Sequence, residues 1–118
     1  MDVDLAVLCG KVASAPEVRE FDSGARLMKL LITIRTKTPK SRIDVIPVAY
    51  WDPPQGLIDE PPEVGERVWV TGSVQRRFWE GPDGRKSRLE IIAEVLTVGD
   101  YKPDRIEEAL IAEKCEIA

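Results

Sequence analysis

The 118-residue sequence contains no histidine, which removes at once the usual general base, the usual switch near neutral pH and the commonest metal ligand. A non-enzymatic protein is the expectation. Cysteine is scarce as well: Cys9 lies in an apolar run and Cys115 near the end, too few and too far apart for a disulfide framework or a metal site. They read as a buried small hydrophobe and an incidental thiol. No apolar run approaches the roughly twenty residues needed to span a bilayer. The opening MDVDLAVLCG also lacks the basic start and long apolar stretch of a secretion signal. These absences predict a cytoplasmic protein without a cofactor, large enough for one domain.

The net charge of −4, taken as a sum, is unsuited to a polyanionic ligand, which is held by Lys and Arg. Its distribution tells more than its sum. No acid occurs from Ser23 to Ile43, where Arg26, Lys29, Arg35, Lys37, Lys40 and Arg42 fall, and Arg76, Arg77, Arg85, Lys86 and Arg88 surround a second segment. Residues 100–118 carry six acids against three bases, so acidity is partly segregated into the tail and a basic face remains available.

Strand signals dominate the chain. Leu5 to Val12 is apolar and β-prone, and Val18 to Phe21 leads through the turn signal Asp22-Ser23-Gly24 into Arg26 to Thr36. There Met28, Leu30, Ile32 and Ile34 alternate with Lys29, Thr33 and Arg35, while Leu27 and Leu31 interrupt the polar face. Ile43 to Trp51 forms another strand, whose Pro47 implies an edge or a bulge. Asp52 to Glu66, with four prolines and two glycines, predicts a loop with at most one short turn at Leu57 to Glu60. Arg67 to Trp79 and Ser87 to Val98 pair as a hairpin across Glu80 to Lys86, with a bulge or bend at Gly72. Arg105 to Cys115 predicts a short helix capped by Asp104. Five β segments and a sharp bend predict a small all-β barrel or sandwich, of which the OB-fold is one common form. The domain division is a β-domain over residues 1–99 and a short acidic helical segment over 100–118.

The succession Leu8-Cys9-Gly10-Lys11-Val12, Ala15-Pro16-Glu17-Val18-Arg19, Ser23-Gly24, Ile46-Pro47-Val48-Ala49-Tyr50-Trp51, Gly65-Glu66-Arg67-Val68-Trp69-Val70-Thr71-Gly72, Arg77-Phe78-Trp79-Glu80 and Asp83-Gly84 resembles bacterial single-stranded DNA-binding proteins over residues 3 to 98. The order and spacing of these pieces carry the resemblance, since none is specific alone. It implies a five-stranded Greek-key OB-fold and a homotetramer, with a dimer as the alternative. It also implies base-tolerant binding of single-stranded DNA in replication, recombination or repair, on the nucleoid. Carried onto matching positions, the stacking aromatics are Trp51 and Trp79, with Arg77 and Arg35 beside them. Three features depart from the pattern, the first being the loop from Arg35 to Asp44, which is short and lacks the tryptophan that some members stack there. The segment after Trp51, helical in typical members, is proline-rich, and the long tail with an acidic tip that recruits replication and repair proteins is not replaced by Ile117 and Ala118.

Stacking suits a binder indifferent to sequence, because every base has a π-face. For Trp79 the stacking reading leads over packing, since it ends a strand beside a polar hairpin tip. Trp51 stands between ligand or subunit contact and packing, Trp69 favours burial under a loop or subunit, and Phe78 is either a DNA contact or core. Arg76, Arg77, Arg85, Lys86 and Arg88 are candidate phosphate clamps, the competing account being a solvated hairpin guarded by charge. Arg35, Lys37, Lys40 and Arg42 carry the same two readings, with a mobile loop as the competitor. The acids Asp59, Glu60, Glu63 and Glu66 read as solvated. An OB-fold scaffold that binds protein through its aromatic face is the second functional reading, distinguishable because only DNA binding must weaken with salt.

Overall fold

A computed structural model describes residues 1–99, so the expected C-terminal helix and acidic segment lie outside the described residues. Six strands form in chain order: β1 Ala6–Val12, β2 Glu17–Glu20, β3 Arg26–Thr36, β4 Arg42–Trp51, β5 Arg67–Gly81 and β6 Gly84–Val98. Their sheet order is β1-β5-β6-β4-β3-β2, and β1 also pairs with β3. Five strands therefore run round in a ring, with β2 as a short arm on β3. This is the OB-fold that the resemblance implied.

Alternation places the core. Met28, Leu30 and Ile32 of β3 point inward and meet Val48 and Tyr50 of β4, Val68 and Val70 of β5, Val12 of β1, and Ile91, Ala93 and Leu96 of β6. On β6 the inward phase jumps between Ala93 and Leu96, because the ladder shifts register between Thr71 and Gly72: Thr71 faces Val95 while Gly72 faces Ala93. The expected irregularity at Gly72 is present, but the extra residue is Glu94, on the partner strand. Gly72 is needed for another reason, since a Cβ there would lie 1.9 Å from the carbonyl oxygen of Ile92.

The bulge leaves the Glu94 carbonyl outside the regular ladder, and the Tyr50 hydroxyl donates to it at 3.2 Å. Tyr50→Phe should therefore cost about 1 kcal/mol, the net value of one buried hydrogen bond, measured as a lower urea midpoint at neutral pH. Burial also pushes the Tyr50 phenol above its ordinary value of 10.0. A phenol that stays neutral longer in the fold than in the unfolded chain contributes stability that is whole below the unfolded value and is lost as pH rises through the folded one. Stability should accordingly fall above about pH 10 in the wild type and fall less steeply in Tyr50→Phe.

Two connections and the burial of Cys9 differ from the sequence expectation. The hairpin connection is only Pro82-Asp83, because Glu80 pairs with Arg85 and Gly81 with Gly84, and Gly84 takes a φ of 113° that suits glycine at the exit of a tight turn. The turn expected from Leu57 is a single-turn helix, α1 Gln55–Asp59, whose Leu57 and Ile58 pack against the core. Cys9 is half-buried, and its Sγ accepts from Arg67 Nη1 at 3.8 Å. Pro47 agrees with the edge reading: β3 pairs along all of β4, whereas β6 joins β4 only at Val48 and Ala49.

Candidate nucleic-acid interface

Residues paired across neighbouring strands share one side of a sheet. Arg19 pairs with Leu27 and Glu17 with Lys29; Leu27 pairs with Trp51 and Lys29 with Ala49; Ala49 pairs with Ile92. Gln75 pairs with Glu90, Arg77 with Arg88 and Trp79 with Lys86. The outer surface thus carries one continuous face from β2 to the β5–β6 hairpin. A groove of about 520 Å³ runs along it, lined by Arg19, Phe21, Lys29, Trp51, Arg77 and Glu90 among others. Beyond it, Arg77, Trp79 and Arg88 form a second concavity of about 360 Å³.

Trp51 is 46% and Trp79 41% exposed. The Trp51 ring rests on Phe21, with centroids 5.4 Å apart and planes at 31°, and Arg19 stacks over the other ring of the pair, 5.2 Å from the Phe21 centroid. Local hydrogen bonds hold this platform. The Asp22–Gly24 turn is closed by Phe21 N–H to Ala25 O and Gly24 N–H to Phe21 O, both 2.9 Å. After Trp51 the chain turns at Asp52, whose φ is 49°. Its carboxylate accepts from Arg26 N–H at 3.0 Å, and its own N–H donates to Arg26 O at 2.7 Å. Aspartate tolerates that left-handed backbone better than most residues.

Arg77, Lys86 and Arg88 make no hydrogen bond or ion pair with any described residue, so their charges are open to a ligand. The structure separates these from the rest of the hairpin cations. Arg76, Phe78 and Arg85 share the opposite strand side, where Arg76 Nη1 donates to Ser87 Oγ at 3.0 Å and Arg85 lies 4.4 Å from the Phe78 centroid. Phe78 is 52% exposed, which overturns its reading as core. Arg76 still contributes to the groove wall.

The β3–β4 loop is also divided. Arg35 follows Lys29 along the outward side of β3 and pairs with Ile43, while Lys37 and Lys40 are exposed in the connection. Arg42 forms a 2.7 Å ion pair with Asp44, which holds its guanidinium above its ordinary pKa. Its charge is therefore partly offset. Trp69 lies further round the ring, between Cys9 and Thr97, half-buried, with its indole N–H enclosed and without an acceptor among the described residues. It lies outside the groove.

Sequence reasoning missed Phe21, Arg19 and Lys29 as groove residues. Lys29 was visible on the polar side of β3, but the strand that brings Arg19 and Phe21 beside it is only four residues long, too short to show a period. Among the described residues, no cluster of His, Cys, Asp or Glu could hold a metal ion, and no helix is long and apolar enough to cross a membrane.

The chain is similar to proteins already characterised. It is 22% identical over 79 residues to "Single-stranded DNA-binding protein 1" of Nostoc sp. and, equally, to "Single-stranded DNA-binding protein" of Anabaena variabilis. In each case 67% of this chain is matched, and it spans 66% of the relative's length. Among solved structures, a Plasmodium falciparum SSB complex with ssDNA superposes with a TM-score of 0.75 at 24% identity, over 85% of this chain and 97% of that one. That likeness carries the fold. The model of the single-strand binding protein family matches residues 3–99, and the chain belongs to that family.

Proposed function

We propose that this protein binds single-stranded DNA of any sequence and protects it during replication, recombination or repair. The observation that carries this reading is one continuous sheet face on which two half-exposed tryptophans alternate with cations that have no side-chain partner among the described residues. Bases stack on Trp51, backed by Phe21, and on Trp79. Lys29, Arg77, Lys86 and Arg88 hold the phosphates between them. Arg35, Lys37 and Lys40 extend the basic track toward the β3–β4 loop, with Arg42 a weaker contributor because of Asp44. Phe78, Arg76 and Arg85 offer a second, smaller platform on the back of the hairpin, so that a longer strand passes round its edge. The role is binding rather than catalysis, it needs no cofactor, and it belongs on the nucleoid in the cytoplasm. Residues 1–99 form the binding domain, and the protein works as a homo-oligomer, a tetramer or a dimer.

Intrinsic tryptophan fluorescence, titrated with oligo-dT and with a random duplex, tests this. Quenching should occur with the single strand alone. If four cations meet phosphates, log K should fall against log salt with a slope of about −3, from roughly 0.7 per contact. Absence of quenching at low salt would reject the reading in favour of an OB-fold scaffold that binds protein.

A further inference from the structure

Strand β5 outruns its neighbour β1. The β1 ladder ends with Ala6 opposite Gly72, while β5 continues to Gly81, paired on its other side by β6. Asp4 closes the junction: its carboxylate accepts the Val74 N–H at 2.8 Å, so that N–H points to the edge β1 has left. Alternation then turns the N–H and C=O groups of Arg76, Phe78 and Glu80 to the same edge, where no described strand pairs with them. Unpaired backbone groups along an exposed strand form a template for another strand. The side chains beside them exclude most partners and select one.

A second copy, related by a two-fold axis perpendicular to the sheet, would pair antiparallel with this edge, residues opposite each other sharing one strand side. Centring the axis on Arg76, Arg77 or Glu80 sets that residue's charge against its own copy. Centring it on Trp79 sets Arg76 against Pro82, which lies beyond the strand. Centred on Phe78, Arg76 faces the partner's Glu80, Glu80 faces the partner's Arg76, and the two Phe78 rings meet at the axis. These are the residues whose N–H and C=O groups reach the edge, so each pair exchanges both backbone hydrogen bonds. All three are exposed, and Glu80 has no ion pair among the described residues. We infer that the free edge of β5 joins two copies of this chain in this register. The contact supplies an interface for the homo-oligomer proposed above and rests on that reading. On the groove side it sets Arg77 beside the partner's Trp79, so the binding face continues from one copy into the next. The β6 edge from Gly84 to Glu90, which β4 does not reach, stays open for a longer strand to pass round the hairpin.

Sedimentation equilibrium at low ionic strength, where charge pairs are least screened, tests this on the full chain and on Arg76→Glu, Glu80→Arg and the double variant. Each single reversal sets like charges opposite one another on both sides of the axis and should weaken association at this edge about tenfold. The double reversal restores opposite charges and should return it to within about twofold of wild type. Circular dichroism should show the same fold in all four proteins, since both side chains are exposed. Single variants that associate as tightly as wild type, or a double variant as weak as the singles, would overturn the inference and leave the homo-oligomer to form through another surface. Wild type that stays monomeric at every concentration would overturn the homo-oligomer reading itself, before any variant is compared.

Discussion

Trp51→Ala combined with Trp79→Ala should abolish most single-strand affinity while leaving the fold intact. Each stacked base contributes about 1 to 3 kcal/mol, so two lost platforms weaken binding by at least about thirtyfold at the low end of that range. Both rings stand on the outer face, 46% and 41% exposed, and neither belongs to the buried cluster. Their truncation should therefore lower the melting temperature only slightly, mainly through the lost Trp51–Phe21 contact. Trp69→Ala is the informative control. Half-buried and outside the groove, it should lower stability and leave affinity close to wild type. A double variant that binds oligo-dT as tightly as wild type would show that the strand does not follow this face.

Gly72→Val should unfold the protein or come close to doing so. The new Cβ would meet the carbonyl oxygen of Ile92 at 1.9 Å, its carbon at 2.8 Å and the Ala93 Cα at 3.0 Å. All three are backbone atoms at the register shift of the longest hairpin, so relief requires the two strands to part. A cost of about 3 kcal/mol or more is expected, a large share of the roughly 5 to 15 kcal/mol that holds a small domain together. Urea unfolding followed by circular dichroism measures it. Gly24→Ala calibrates the result: Gly24 has a φ of 90° but nothing within 4 Å, so only backbone strain of about 1 to 2 kcal/mol is incurred. A Gly72→Val protein as stable as wild type would mean that β5 does not cross Ile92 so closely.

The elements with a strong period were legible from the residues. The alternation of Met28, Leu30 and Ile32 with Lys29 and Thr33 defined β3 with the bounds observed, Arg26–Thr36, and Gly72 marked the bend. Trp51 and Trp79 were singled out by the resemblance, supported for Trp79 by its place at a strand end beside Phe78, Arg76 and Arg77. What one sequence withholds is which strand side each residue takes once strands are paired. The hairpin cations formed a single group along the chain, yet pairing sets Arg77 and Arg88 on one side and Arg76 and Arg85 on the other. Phe21 became visible only when β2 carried it against Trp51, and Glu90 only when β6 had neighbours on both sides. Which residues line a groove is a property of assembled strands, not of one run of residues.

The ring of strands is closed along β4 and β6 by just two residue pairs, Val48 with Ile91 and Ala49 with Ile92. The groove lies over this seam, with Ala49 and Ile92 in its wall. Short parallel pairings distant in sequence are natural places for sub-global opening, in which backbone amides exchange with solvent without the whole domain unfolding. On the proposed function, a nucleic-acid strand lying across the seam between Lys29 and Trp51 on one side and Arg77 on the other would act as an external staple. Its contacts would close a joint that the polypeptide leaves nearly open, so occupancy should slow that breathing and link the protein's lifetime against proteolysis to the single strand it covers.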